Sequence, residues 1–144
     1  MHRPIRLLIA DNNVNYSQAL KTFLDKHEDI RVVNMVRDGQ GTLTACKESL
    51  PDVALIDLHL PVLDSIKTIQ SILAQNEHIK ILGISSIPDD RYAIAAIKVG
   101  AHGYVEKNGP SSYEEIANAV RQVASGEVVL NSTLASHILR EFSK

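Results

Sequence analysis

The chain has little of several features that would place it in a specialised class of protein. It has one cysteine, Cys46, among 144 residues, which excludes an internal disulfide and fits a reducing compartment such as the cytosol. Its longest apolar runs have the length of a strand, so we expect no membrane span. Residues 1–4 lead straight into the first apolar run and leave no room for a signal peptide, so we expect a cytoplasmic protein.

The composition also argues against DNA binding, which needs positive charge, and against nucleotide or flavin binding, which needs glycine in the turn after the first strand. The net charge is −2, so these residues lack the positive excess that would bind DNA by themselves. The turn after the first apolar run, residues 11–15, contains no glycine. Glycine is the residue that lets a backbone approach the phosphates of a nucleotide or a flavin, so such a site is disfavoured.

Short apolar runs alternate with helical patterns along the chain. Hydrophobic residues make up 44% of it, which argues against disorder and allows one folded core. Strands are predicted at residues 5–10, 29–36, 53–56, 79–84 and 103–106. Helices are predicted at residues 14–27, 41–50, 63–75, 88–100 and 111–125.

This alternation predicts an α/β fold. Five strand–helix units in succession favour a flavodoxin-like, doubly wound, five-stranded parallel sheet with helices on both faces and strand order 2-1-3-4-5. In such sheets the chemistry lies beyond the carboxyl ends of the strands, where the order reverses between strands one and three.

Polar side chains stand at the ends of four of the predicted strands. Asp11 and Asn12 follow the first strand, Asp57 follows the third, and Ser85 and Lys107 follow the fourth and fifth. The predicted topology brings these ends into one crevice. Two carboxylates, an amide, a hydroxyl and an ammonium suit a divalent metal ion beside a carboxylate that accepts a phosphoryl group.

The end of the chain exceeds what five strand–helix units need. We therefore divide the sequence into a domain at 1–126 and a C-terminal extension at 127–144. The extension contains a short apolar run and an extra helix at 133–142, which Asn131 or Ser132 could cap. Two interpretations stay open. The extension packs on the domain, or it is a linker helix toward a further module or a pairing surface.

The order of these residues resembles the receiver domain of bacterial two-component response regulators. The resemblance covers about residues 5 to 125 and rests on the polar residues at the strand ends, with Asp57 inside the run 55–61. Residues 100–107 and 123–130 are similar to the NarL/FixJ subfamily, in which a receiver precedes a LuxR-type helix-turn-helix domain. No such domain follows here, so the chain is either a stand-alone receiver or the receiver part of a longer regulator, and we expect the second, in which the natural protein continues beyond Lys144.

The resemblance implies a metal site and a phosphoryl acceptor. Asp57 would accept the phosphoryl group. Mg²⁺ would be held by Asp11, Asn12, Asp57 and the backbone carbonyl of His59, while the imidazole of His59 need not touch it. Asn12 departs from the family, which usually has an acid at this position. We therefore expect weakened Mg²⁺ binding, and the departure leaves open slower phosphorylation, a longer phosphoryl lifetime or an inactive pseudo-receiver.

Three further residues would connect the site to a switch. Lys107 would pair with Asp57 at rest and with the phosphoryl group afterwards. Ser85 would donate a hydrogen bond to a phosphoryl oxygen, and Tyr104 would move from an outward to an inward rotamer as the Ser85 loop closes. Simpler interpretations stay open for four residues of the site. Asp57 could be a turn residue, Asp11 a helix N-cap, Lys107 a surface lysine and Tyr104 a half-buried strand residue.

The resemblance implies a switch whose catalysis is limited to its own phosphorylation and dephosphorylation, and not an enzyme with a separate substrate. A sensor histidine kinase would supply the phosphoryl group, activation would favour a homodimer, and DNA would be contacted only through an output domain absent from this chain. The alternative is a pseudo-receiver that binds a partner without phosphorylation, as Asn12 suggests. An aspartate-nucleophile phosphatase is disfavoured, because that chemistry needs a second acid at the position of His59.

Overall fold

Five parallel strands form the centre of the molecule. The computed structural model describes residues 3–60, 64–87, 89–108 and 112–143. The strand order is β2-β1-β3-β4-β5, which confirms the predicted fold class and topology. The strands are β1 (Ile5–Ala10), β2 (Ile30–Val36), β3 (Val53–Asp57), β4 (Lys80–Ser85) and β5 (Gly103–Glu106).

Six helices lie in the described part of the chain. They are α1 (Val14–Leu24), α2 (Gly39–Ser49), α3 (Ser65–Gln75), α4 (Asp90–Lys98), α5 (Ser112–Ala124) and α6 (Ser132–Phe142). Helix α2 begins before the predicted residue 41, because the side chain of Asp38 accepts a hydrogen bond from the Gly41 N–H (2.7 Å) and caps it. The predicted helix starts at 63, 88 and 111 lie outside the described residues. None of these helices is long and apolar enough to cross a membrane.

The core lies on both faces of the sheet. Side chains of a strand point alternately to its two faces. In β1, Leu8 and Ala10 pack in a cluster with α2, α3, α4 and α6, whereas Leu7 and Ile9 pack with α1 and α5. The central strands are therefore apolar along their length, as parallel strands covered on both faces are. Their first polar side chains come where the strands end, and this positions the site.

The segment after α5 lies along the free edge of β5. The Val129 N–H donates to the His102 carbonyl (3.1 Å), and the Val129 carbonyl accepts from the Tyr104 N–H (2.9 Å). A Cβ at Gly103 would stand 2.9 Å from Val129, so the glycine permits this close approach. Helix α6, capped by Asn131, then packs on α4. The extension thus packs on the domain, and a role as a linker stays a prediction.

Candidate functional site

Asp57 ends β3 at the carboxyl edge of the sheet, and its side chain is buried. The His59 backbone N–H donates to Asp57 Oδ1 (2.8 Å), and the Lys107 ammonium donates to Asp57 Oδ2 (2.8 Å). The buried hydroxyl of Ser65 donates to the Asp57 carbonyl (2.7 Å) and accepts from the Leu60 N–H (3.1 Å). Ser65, to which the sequence assigned no role, therefore fixes the loop that follows the carboxylate.

Asp11 lies beside Asp57 and shares its cation. Its Oδ1 accepts a hydrogen bond from the Asn13 N–H (2.9 Å), and its Oδ2 forms an ion pair with Lys107. The cap of α1 is Asn13, whose side chain accepts from the Tyr16 N–H, so the interpretation of Asp11 as a helix N-cap is wrong. Burial, together with the nearby charge of Asp57, raises the pKa of Asp11 against the opposing effect of Lys107.

Lys107 holds the two carboxylates together. Only 8% of its side chain is exposed, so the interpretation as a surface lysine is wrong. Burial alone would lower the pKa of its ammonium, but the hydrogen bonds and charges of Asp11 and Asp57 outweigh burial and raise it. The ammonium also lies 4.6 Å from the centre of the Tyr16 ring, a cation–π contact. One cation against two anions leaves the cluster with a net negative charge.

The Ser85 hydroxyl is engaged away from Asp57. Ser85 Oγ accepts from the Ile87 N–H (3.0 Å), lies 3.1 Å from the Ile87 carbonyl and lies 3.1 Å from His59 Nε2. The His59 ring packs edge-on against Tyr92 of α4, with ring centres 4.4 Å apart. The imidazole of His59 therefore contacts the residue assigned to the switch, a contact that the sequence prediction did not include.

Tyr104 lies in the core behind Ser85. It is 4% exposed and belongs to the cluster that contains α4 and α6, so it is more buried than the half-buried strand residue of the simpler interpretation. Burial raises the pKa of its hydroxyl, and the neighbouring Ser85 side chain offsets part of this shift. The movement between two rotamers stays a prediction.

The residues at the site fit a hard cation, although with few charges. Asp11, Asp57 and the His59 carbonyl supply the oxygen atoms that Mg²⁺ prefers, and the metal commonly keeps several waters beside one or two carboxylates. Asn12 is exposed next to them and adds no charge. In the described ranges, no three histidines, cysteines or acids are grouped to hold a metal ion. The carboxylates here number two, and both are bonded to Lys107.

Two contacts at the site carry no clear signal in the sequence. Tyr16 is one of four tyrosines and stands near the start of α1, and nothing in the helical pattern reveals its contact with Lys107. The contact of His59 with Ser85 depends on a side-chain rotamer, which the position of the residue in the loop does not fix. The sequence indicated the residues at the strand ends and missed those that pack around them.

The raised pKa of Asp11 leads to a prediction about stability. Because burial disfavours the ionised form of Asp11, Asp11→Asn should raise the free energy of unfolding at pH 7.5. The folded protein binds the Asp11 proton more tightly than the unfolded chain, so the stability of the wild type rises as pH falls through the raised pKa toward the ordinary 3.8. The difference in the free energy of unfolding between Asp11→Asn and the wild type should therefore be smaller at pH 4 than at pH 7.5.

Urea unfolding at the two pH values measures this difference. The matched control is Asp25→Asn, because Asp25 is exposed and pairs with Lys21 on the surface, where charge removal has little effect. Equal stability of Asp11→Asn and the wild type at pH 7.5 would contradict the prediction.

Comparison with known proteins agrees with this geometry. A family profile described as the response regulator receiver domain matches residues 7–121. The chain is 32% identical to the transcriptional regulatory protein LiaR of Bacillus subtilis and 30% identical to the oxygen regulatory protein NreC of Staphylococcus epidermidis. The alignments cover 94% and 96% of this chain and 63% of each relative. The chain therefore spans less than two thirds of the length of these relatives.

Solved structures give the same result. A LuxR-family two-component response regulator from Aurantimonas sp. SI85-9A1 superposes with a TM-score of 0.86 over 98% of this chain and 99% of its own, at 21% identity, and supports the fold alone. The signal receiver domain described for NarL of Mycobacterium tuberculosis superposes with a TM-score of 0.82 over 88% of this chain and all of its own, at 25% identity. The chain belongs to the response regulator receiver domain family, as a receiver of the NarL/LuxR type found in transcriptional regulators.

Proposed function

We propose that this domain accepts a phosphoryl group on Asp57 from the phosphohistidine of a sensor histidine kinase. The observation that carries the proposal is the pair of bonds at the Asp57 carboxylate. One oxygen is held by the His59 backbone and the other by Lys107, at the carboxyl edge of the sheet and beside Asp11. Such a carboxylate is oriented, and it lies next to a cation that can stabilise a phosphoryl group.

In the proposed transfer a bond forms between Asp57 and phosphorus while the nitrogen–phosphorus bond of the donor breaks. The donor imidazole keeps the electron pair of the broken bond. Lys107 then moves its hydrogen bond from Asp57 Oδ2 to a phosphoryl oxygen. Receiver domains generally bind Mg²⁺ at their acidic site. When bound, the ion would neutralise phosphoryl charge from Asp11, Asp57, the His59 carbonyl and, weakly, Asn12.

The phosphoryl group would act on the rest of the domain through Ser85. In the described arrangement the Ser85 hydroxyl is bonded to Ile87 and lies against His59, so it must leave these partners to donate to a phosphoryl oxygen. That exchange would draw the loop toward Asp57 and shift the equilibrium of α4, whose first turn follows the loop. Catalysis would be limited to the phosphorylation and dephosphorylation of Asp57.

We propose that the output is transcriptional. LiaR is named a transcriptional regulatory protein, and both LiaR and NreC are longer than this chain. In the natural protein, DNA contact would belong to an output domain beyond these residues, and activation would favour a homodimer of receivers. A second candidate is an interaction module that works without phosphorylation. The observation behind it is the uncharged Asn12 beside carboxylates that Lys107 already neutralises in part.

The test is phosphorylation by acetyl phosphate. The full chain is incubated with acetyl phosphate and Mg²⁺, and its intact mass is followed over time beside Asp57→Asn and the surface control Asp25→Asn. We expect the wild type and Asp25→Asn to gain one phosphoryl group and Asp57→Asn to gain none. If the wild type gains no phosphoryl group at any Mg²⁺ concentration but Asn12→Asp does, the result would favour the second candidate, an interaction module that works without phosphorylation.

A further inference from the structure

Helix α6 covers one side of α4. Its buried side chains, Leu134 and Ile138, belong to the same apolar cluster as Ala93 and Ala96 of α4 and Tyr104 of β5. Helix α6 therefore closes the side of the core that contains the tyrosine of the predicted switch. This packing buries apolar surface, which favours the docked position.

Two polar side-chain contacts, one of them an ion pair, hold the same helices together along their length. His137 Nδ1 lies 2.7 Å from Asp90 Oδ2 in the first turn of α4, and Lys98 Nζ lies 3.0 Å from Glu141 Oε2 at its other end. These pairs are partly exposed, so each adds little energy, but together they fix the register of α6 on α4.

The first turn of α4 also contacts the phosphorylation site. The ring of Tyr92 packs on His59, which lies two residues after Asp57. Asp89, which caps α4, follows the loop that holds Ser85. The turn thus has the acceptor loop on one side and α6 on the other. A rearrangement of the Ser85 loop cannot move this turn without changing its contact with α6.

We propose that α6 is an internal binding partner of α4 that favours the unphosphorylated arrangement, so that phosphorylation of Asp57 and release of α6 are coupled. The inference rests on the proposed function, because it needs the phosphoryl group as its input. Coupling between two sites is reciprocal: if phosphorylation weakens the docking of α6, then loss of docking must favour phosphorylation by the same factor. The two directions can be measured separately.

The first measurement follows the backbone amides of α6 by hydrogen–deuterium exchange in the full chain. Exchange is compared between the unphosphorylated protein and the protein with Asp57 phosphorylated or bound to beryllofluoride. We expect amides in 132–142 to exchange about fivefold faster or more with the phosphoryl group or its mimic, which corresponds to the lower end of ordinary coupling between sites.

The second measurement uses neighbouring residues of α6 as a matched pair. Ile138 is 8% exposed against α4, whereas Leu139 is 67% exposed on the same helix. Ile138→Asp should undock α6 and tighten beryllofluoride binding about fivefold or more, while Leu139→Asp should leave the affinity unchanged. If Ile138→Asp does not fold, Ile138→Ala and His137→Ala take its place and should change the affinity in the same direction.

Unchanged α6 exchange in a wild type that gains the phosphoryl group would overturn this inference and leave the proposed function standing. Equal beryllofluoride affinities for Ile138→Asp and Leu139→Asp would overturn it as well, because reciprocity requires both effects. If neither the wild type nor any undocked variant gains a phosphoryl group, the proposed function fails and the coupling fails with it.

Discussion

Lys107→Met should lower the free energy of unfolding by about 3–5 kcal/mol at pH 7.5, because it leaves two buried carboxylates without their cation. Asp11 and Asp57 are both buried, and the ammonium of Lys107 is bonded to each. The loss should shrink as pH falls, because protonation of a carboxyl group removes the uncompensated charge. Urea unfolding at pH 7.5 and pH 5 measures both effects.

The control for this variant is Lys21→Met. Lys21 also pairs with an aspartate, at 2.7 Å from Asp25, but the pair is on the surface of α1 and should contribute less than about 1 kcal/mol. The double variant Lys107→Met with Asp11→Asn should recover part of the loss, because it removes one of the two unpaired charges. If Lys107→Met is no less stable than Lys21→Met, the buried cluster does not depend on its cation.

Asn12→Asp should tighten Mg²⁺ binding by about tenfold or more. Two unit charges about 4 Å apart interact by about 4 kcal/mol at an effective dielectric constant near 20, and one third of this corresponds to a factor of ten in affinity. The new carboxylate would stand next to Asp11 at the edge where Asp57 ends its strand. Isothermal titration calorimetry of the unphosphorylated chain with Mg²⁺ gives the affinity.

The matched control is Asn15→Asp, which adds the same charge to an exposed position in the first turn of α1. Equal Mg²⁺ affinity for the two variants would mean that residue 12 does not face the metal. The rate of phosphoryl gain separates two consequences of the asparagine. At subsaturating Mg²⁺, a faster Asn12→Asp would mean that weak metal binding limits the wild type, and an unchanged rate would mean that it does not.

The sequence predicted the backbone of the site better than its side-chain contacts. Asp11, Asp57, Ser85 and Lys107 could be placed together because strand periodicity determines the topology, and a parallel sheet gathers its carboxyl ends at one edge. The predicted strand order then indicated which of these residues are neighbours. This prediction requires only the path of the backbone and no side-chain rotamer, and the strand order is confirmed.

The contacts that the sequence did not predict all depend on how side chains pack. His59 reaches Ser85, and Tyr16 lies over Lys107, only because their rotamers and neighbouring helices direct them there. The position of α6 was left open for a related reason. An amphipathic helix reveals that one of its faces is buried, but it does not reveal against what. Interactions between elements far apart in sequence require the fold itself.

Gly103 has a consequence for the association of chains. Strand β5 is at the edge of the sheet, and unpaired backbone groups at such an edge can pair with a strand of another molecule. Val129 occupies the His102 carbonyl and the Tyr104 N–H, and it can approach them because Gly103 has no side chain. The residue that admits the extension thus also protects the sheet against edge-to-edge aggregation, and a bulkier residue there would open this edge to other chains.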